Sequence, residues 1–278
     1  AVQNAREAGR RNTCSNNLKQ LGIACVAYDG AKGKLPGWVN KHPRPAAAAS
    51  VSWAVVILPN LERNDIYDNW QDSTVNIGEE QRPYMPIFVC PTSPPDSLES
   101  DTVAYVGNAG TTLTSSGVQV KADGVMCDRV ATGANHSAAQ MNLDMITGND
   151  GTATTLLFGE RNGANATQIG WGDAVASVTS VASGRLLTDP AAWGNTAVFG
   201  HDGSATTTGT VINPSTTNLA KVHPSSNHPG GAIFCFCDGH SRFISDSCEG
   251  KVYGQLLSSD TGNQSHTSDG TMGVLVNG

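Results

Sequence analysis

The chain has 278 residues, 15% of them charged, with a net charge of -7 and a pI of about 5.4. That length supports one large domain or two modest ones with a real core, and the acidic balance argues against a nucleic-acid partner. No apolar run approaches the roughly 20 residues that a bilayer span needs, and 31 glycines amid many Thr, Ser and Asn point to strands and turns.

Residues 1–29 read as one long helix. Cys14, Leu18, Leu21, Cys25 and Tyr28 recur at steps of four and three, which puts them on one face. Val2, Ala5 and Ala8 extend an apolar line, and Arg6, Arg10, Arg11 and Lys19 supply polar surface. The basic cluster Arg6, Arg10 and Arg11 suits either a solvated face or an anionic lipid surface. The run "DGAKGKLPG" stops the helix with Gly and Pro. In the next apolar block, residues 50–70, Pro59 separates an ambiguous "SVSWAVVIL" from "LERNDIYDNW". The latter predicts a helix packing Leu61, Ile66 and Trp70 against the first one.

From about residue 100 the pattern turns to strands: "DTVAYVGNAG", "ADGVMC" and the apolar "TATTLLFGE" of residues 152–160. Residues 161–220 form a Gly-, Thr-, Ser- and Asn-rich insertion of loops and short strands, with Trp171 and Trp193 as local anchors. "AIFCFCDGHSRFIS" predicts a hairpin. Asp238-Gly239 would form a two-residue type I′ turn, which requires positive φ at both positions. A short helix in "VYGQLLSS" and a last strand in "GTMGVLV" follow.

The chemistry-bearing residues are few. His228, Asp238 and His240 are candidate metal ligands around the hairpin, with Cys235 and Cys237 between them. Those two cysteines alternate with Phe and read as core, and no Cys-x-x-Cys spacing is present. No EF-hand pattern supports a structural calcium near Asp238, so no cofactor is expected. No Gly-x-Ser-x-Gly elbow appears. Glu160, closing the apolar strand, is the best candidate for a hydrolase acid, and would need a second carboxylate or His228 opposite it. A partly buried Glu in an ion pair or loop hydrogen bond is the simpler reading.

Six stretches then fit together in order: residues 1–37, "SWAVVILPNLERNDIYD", "FVCPTSP", "AYVGNAG", "TLLFGERN" and "HPGGAIFCFCDGHSRFI". In these the chain resembles a large bacterial family of prepilin-like proteins. Its C-terminal signature of His, nine residues and Asp-Gly matches His228, Asp238 and Gly239. The resemblance implies an α+β, type IV pilin-like fold, with a long N-terminal helix packed on an antiparallel sheet. Residues 1–29 would be the C-terminal half of a spine helix, and 30–278 a β-rich head carrying the unmatched insertion. Family members place a basic leader and an apolar half-helix upstream of this point. It further implies a non-enzymatic pilin- or pseudopilin-like subunit at the cell surface or in the periplasm, with the inner membrane and other pilin-like subunits as partners. For an exported protein, Cys14 with Cys90 and Cys237 with Cys248 are candidate disulfides. The alternative function is a carbohydrate-binding or adhesion module using Trp171 and Trp193 as aromatic platforms.

Overall fold

A computed structural model describes residues 2–44, 50–95, 97, 101–111, 114–115, 118–119, 124–126, 129–130, 141–161, 169–172, 198–201, 211–214, 223–259, 264–266 and 272–274. The protein is α+β. Helix α1, Val2–Lys32, buries Cys14, Leu18, Leu21, Ala24 and Cys25, the face that the four-three spacing predicts. Val2 is exposed, and so are Ala5 and Ala8, so the apolar line ahead of Cys14 is not covered.

The stripe rests on a five-stranded sheet built from β1 (Tyr105–Thr111), β2 (Leu156–Glu160), β3 (Val198–His201), β4 (Gly231–Phe236) and β5 (Ser241–Ser245). The strand order is β5-β4-β2-β1-β3. Three of the four pairings are antiparallel, and the β1–β3 edge pair is parallel, a departure from the antiparallel sheet expected. Every residue of β2 and β4 is buried, as befits central strands covered on both faces. Helix α1 covers one face at close range. A Cβ on Gly22 would lie 2.5 Å from Cys235 Sγ and 3.1 Å from Gly239 Cα, so only glycine lets the helix approach the hairpin this closely.

The opposite face carries the short C-terminal helix predicted from "VYGQLLSS", Gly250–Leu257, whose Tyr253 meets Phe234 edge-on with ring centroids 6.3 Å apart. Asn108 of β1 ties this helix to the sheet. Its buried amide donates to the carbonyls of Leu156, at 2.7 Å, and Leu257, at 2.8 Å. Buried amide donors need such partners, because an unpaired one costs about 1–3 kcal/mol.

The block before Pro59 resolves into a two-residue strand, Ser50–Val51, and one helical turn, Trp53–Val56, followed by a 3₁₀ turn, Leu58–Leu61. That 3₁₀ turn packs on α1, and helix Asn64–Gln71 follows it with Ile66 and Trp70 buried. Trp53 is fully buried, its ring 4.5 Å from that of Phe158 and 5.9 Å from that of Phe88. The block is thereby keyed into the sheet through aromatic contacts. The closing strand is found at Met272–Val274, paired with Gln264–His266.

Several expectations are corrected. Gly239 alone has positive φ in the hairpin turn. Phe236 N–H donates to His240 O and Gly239 N–H to Phe236 O, both at 2.9 Å. The loop is therefore three residues long, Cys237-Asp238-Gly239, with glycine in the left-handed position, rather than a two-residue type I′ turn. Thr155 and Thr152 carbonyls accept from Cys237 and Asp238 N–H, so the start of β2 holds the longer loop in place. The "ADGVMC" segment contributes buried Val125 and Met126 but no strand among its described residues; Met126 N–H donates to Asn108 O at 2.9 Å. Trp171 is fully buried, with its indole N–H on Pro83 O at 3.1 Å and its rings near Phe88 and Trp70. It offers no face to a sugar. Trp193 lies outside the described residues, as does most of the 161–220 insertion.

Candidate functional site

The chemistry converges where α1 crosses the end of β2. Cys14 belongs to the buried helical stripe. Cys90 follows the 3₁₀ turn Pro86–Phe88, and Asn17 of α1 pins that segment by donating to the carbonyls of Pro86 and Val89. Glu160 is the last residue of β2, opposite Tyr105. His228 precedes β4 in a segment set beside Glu160 by an Arg161–Ser225 bridge and by Ser225 N–H donating to Glu160 O at 2.9 Å. The two thiol sulfurs, a Glu160 carboxylate oxygen and a His228 ring nitrogen all lie within 4.8 Å of one another, and all four residues are buried. Among the described residues no other set of three such donors converges.

Neighbouring groups hold the donors in place. His228 Nδ1 lies 2.7 Å from Glu7 Oε1, so a carboxylate two turns before Cys14 on α1 holds Nδ1–H and fixes the ring's orientation. His228 Nε2 thereby faces Cys90 Sγ at 3.6 Å and Glu160 Oε1 at 3.4 Å. Thr92 Oγ1 lies 3.0 Å from Cys90 Sγ. Glu160 Oε2 accepts the backbone N–H of Ile233 at 2.8 Å. Glu160 Oε1 is buried and accepts no hydrogen bond.

The electrostatics are those of a buried anionic pocket around one imidazole. Burial raises the Glu160 carboxyl to about 7, against the pull of nearby His228. For His228, burial opposes the charged form, but Cys90, Glu160 and Glu7 outweigh it and raise the imidazole to about 10. The two thiols are hydrogen-bonded to each other and shift in opposite directions. Its hydrogen bond with Cys90 and its burial raise Cys14, whereas the same hydrogen bond, helped by His228 and Thr92, lowers Cys90.

The other candidates sit elsewhere. Asp238, in the hairpin loop, and His240, which closes it, lie at the far end of β4, paired with each other at 2.6 Å, with His240 stacked on Phe236. They do not join His228 in a site. Cys235 packs beneath Gly22, and Cys25 lies near Cys235 and Cys237, all three buried. Cys14 and Cys90 are neighbours, as their sequence blocks suggest. Cys237 and Cys248 are not, since Ser245 pairs with Gly231 and so leaves Cys248 at the opposite end of the hairpin from Cys237. Six strand residues, about 20 Å, lie between the two ends, far beyond the ~7 Å of a disulfide. Arg11 is not a free lipid-facing cation. It bonds Glu7 at 3.2 Å and the Pro229 carbonyl, and lies over the Phe243 ring at 4.3 Å.

The fold and this cluster define a head bound side-on to a long helix. Residues 3–251 match the family described as "Protein of unknown function (DUF1559)", and the chain belongs to that family. No curated protein and no solved structure shows detectable similarity to it.

Proposed function

We propose that this protein is a pilin-like, pseudopilin-type structural subunit of the cell envelope. It is a head carried on a spine helix and acts by assembly with copies of itself or related subunits rather than by catalysis. The observation that supports this reading is the packing of α1. Residues from Cys14 to Cys25 are buried along one stripe of the sheet, while the first three turns stand exposed apart from half-buried Glu7 and Arg11. A helix with an uncovered first half is suited to meet further helices or a membrane surface. The fully buried position of Glu160, held by Ile233 N–H, suits a structural role better than a hydrolase acid facing substrate. No helix among the described residues is long and apolar enough to cross a membrane.

Fractionation of cells expressing the gene from its own start codon tests the proposal. The protein is expected in the membrane or surface fraction, processed at its N-terminus. Unprocessed protein confined to the cytosol would rule the reading out.

A further inference from the structure

We propose that Cys14, Cys90, Glu160 and His228 form a structural Zn2+ site that clamps the spine helix to three separate segments of the head. The donor set, two thiolates, one imidazole and one carboxylate, fills a four-coordinate shell from the protein alone and leaves no open position for substrate. Thiolates favour zinc over calcium or magnesium, which prefer all-oxygen shells.

The spacing agrees with that ion. With Zn–S of about 2.3 Å and Zn–N or Zn–O of about 2.05–2.1 Å, a tetrahedron has S···N edges of roughly 3.6 Å and N···O edges of roughly 3.4 Å. The corresponding distances here are 3.6 Å for Cys90 Sγ to His228 Nε2 and 3.4 Å for His228 Nε2 to Glu160 Oε1. The surroundings are those of a ligand shell. His228 turns its other nitrogen to the Glu7 carboxylate at 2.7 Å, Glu160 turns its other oxygen to Ile233 N–H at 2.8 Å, and Thr92 hydroxyl contacts the Cys90 sulfur at 3.0 Å. Such outer contacts orient metal ligands and sharpen their basicity. The oxygen aimed into the cluster, Glu160 Oε1, is fully buried and has no hydrogen bond, only the His228 Nε2 ion-pair contact at 3.4 Å. A buried acceptor left this way is costly, and a cation at the centre would satisfy it. On binding, the Cys14 thiol and His228 Nε2 would each lose a proton to solvent, so that both sulfurs ligate as thiolates and the imidazole ligates in its neutral form, keeping Nδ1–H on Glu7.

The site also explains why a helix residue, a loop cysteine, a strand-end glutamate and a pre-strand histidine meet at all. They come from positions 14, 90, 160 and 228, so one ion would close three long chain loops at once.

The test is a titration of reduced, chelator-washed protein with Co2+, followed by displacement with Zn2+. One Co2+ per chain is expected, with thiolate-to-cobalt charge transfer and the intense visible bands of a tetrahedral ion. Zinc should raise Tm by about 5–10 °C at a hundredfold excess over Kd. Cys90→Ser and His228→Ala should each weaken binding by more than about 100-fold, and Glu7→Gln by about 10-fold, within the range for outer contacts. His240→Ala should leave it unchanged. Wild-type protein that takes up no stoichiometric Co2+, uptake that survives Cys90→Ser, or a Cys14–Cys90 disulfide in protein isolated from its host under thiol-blocking conditions would each overturn the site. These readouts use the purified chain, so their failure leaves the envelope-subunit reading standing, and failed fractionation leaves this one standing.

Discussion

Trp53→Ala should lower the free energy of unfolding by about 3–5 kcal/mol, the usual cost of emptying a fully buried aromatic position. Trp53 is 0% exposed, and its ring packs against Phe158 of β2 and Phe88 of the segment leading to Cys90. Two costs add: the lost transfer of a large apolar surface out of water, and a cavity that neighbours cannot close. Relaxation is restricted because Phe88 is itself wedged against Trp171, with centroids 5.9 Å apart. Urea denaturation should show a lower midpoint at an unchanged slope. A loss below about 1 kcal/mol would mean that the block around residues 50–70 does not rest on the sheet as described.

Glu160→Leu should cost a comparable amount, about 3–5 kcal/mol, although leucine is the more apolar side chain. The substitution strands the Ile233 N–H, which now donates to Glu160 Oε2 at 2.8 Å, and removes the carboxylate 3.4 Å from His228. A buried imidazole held in its charged form by its neighbours would lose one of its anionic partners. Glu160→Gln separates the two contributions. Its amide oxygen can still accept from Ile233, so about 1–3 kcal/mol of the loss should return. The part that does not return measures the charge. Equal stability of the Leu and Gln variants would show that the backbone hydrogen bond contributes nothing.

These positions also mark how far the sequence alone could be read. The burial of Cys14, Leu18, Leu21 and Cys25 was legible because a helix repeats every 3.6 residues and one face must be covered. The strand ending at Glu160 and the hairpin around Asp238-Gly239 were legible as apolar runs bounded by turn residues. The hairpin's loop length was not, because it is set by tertiary hydrogen bonds from Cys237 and Asp238 to Thr155 and Thr152. Trp171 reads as a local anchor of the insertion, with a surface platform as the alternative; what buries it, Pro83, Phe88 and Trp70, lies about 90 residues earlier and so is not legible from its own segment.

The cluster was hidden for the same reason. Glu160 with His228 was visible as a possible acid pair and Cys14 with Cys90 as a possible disulfide, but not that the two pairs share one place, and as metal ligands the eye falls on Asp238, His240, Cys235 and Cys237 beside His228. Strand geometry carries those four away to the other end of β4 and brings in Cys14, Cys90 and Glu160 from three other segments. A signal did exist: a cysteine on a buried helical face, another in "FVCP" and a charged residue closing an apolar strand are each unusual places to spend a reactive side chain. Only the fold shows that they are the same place.

X-ray absorption at the zinc edge of the zinc-loaded protein tests the clamp most directly. The account predicts a shell of two sulfurs at about 2.3 Å and two nitrogen or oxygen atoms at about 2.0–2.1 Å. A shell without sulfur, or one with three sulfurs that would move the ion to Cys25, Cys235 and Cys237, would contradict it.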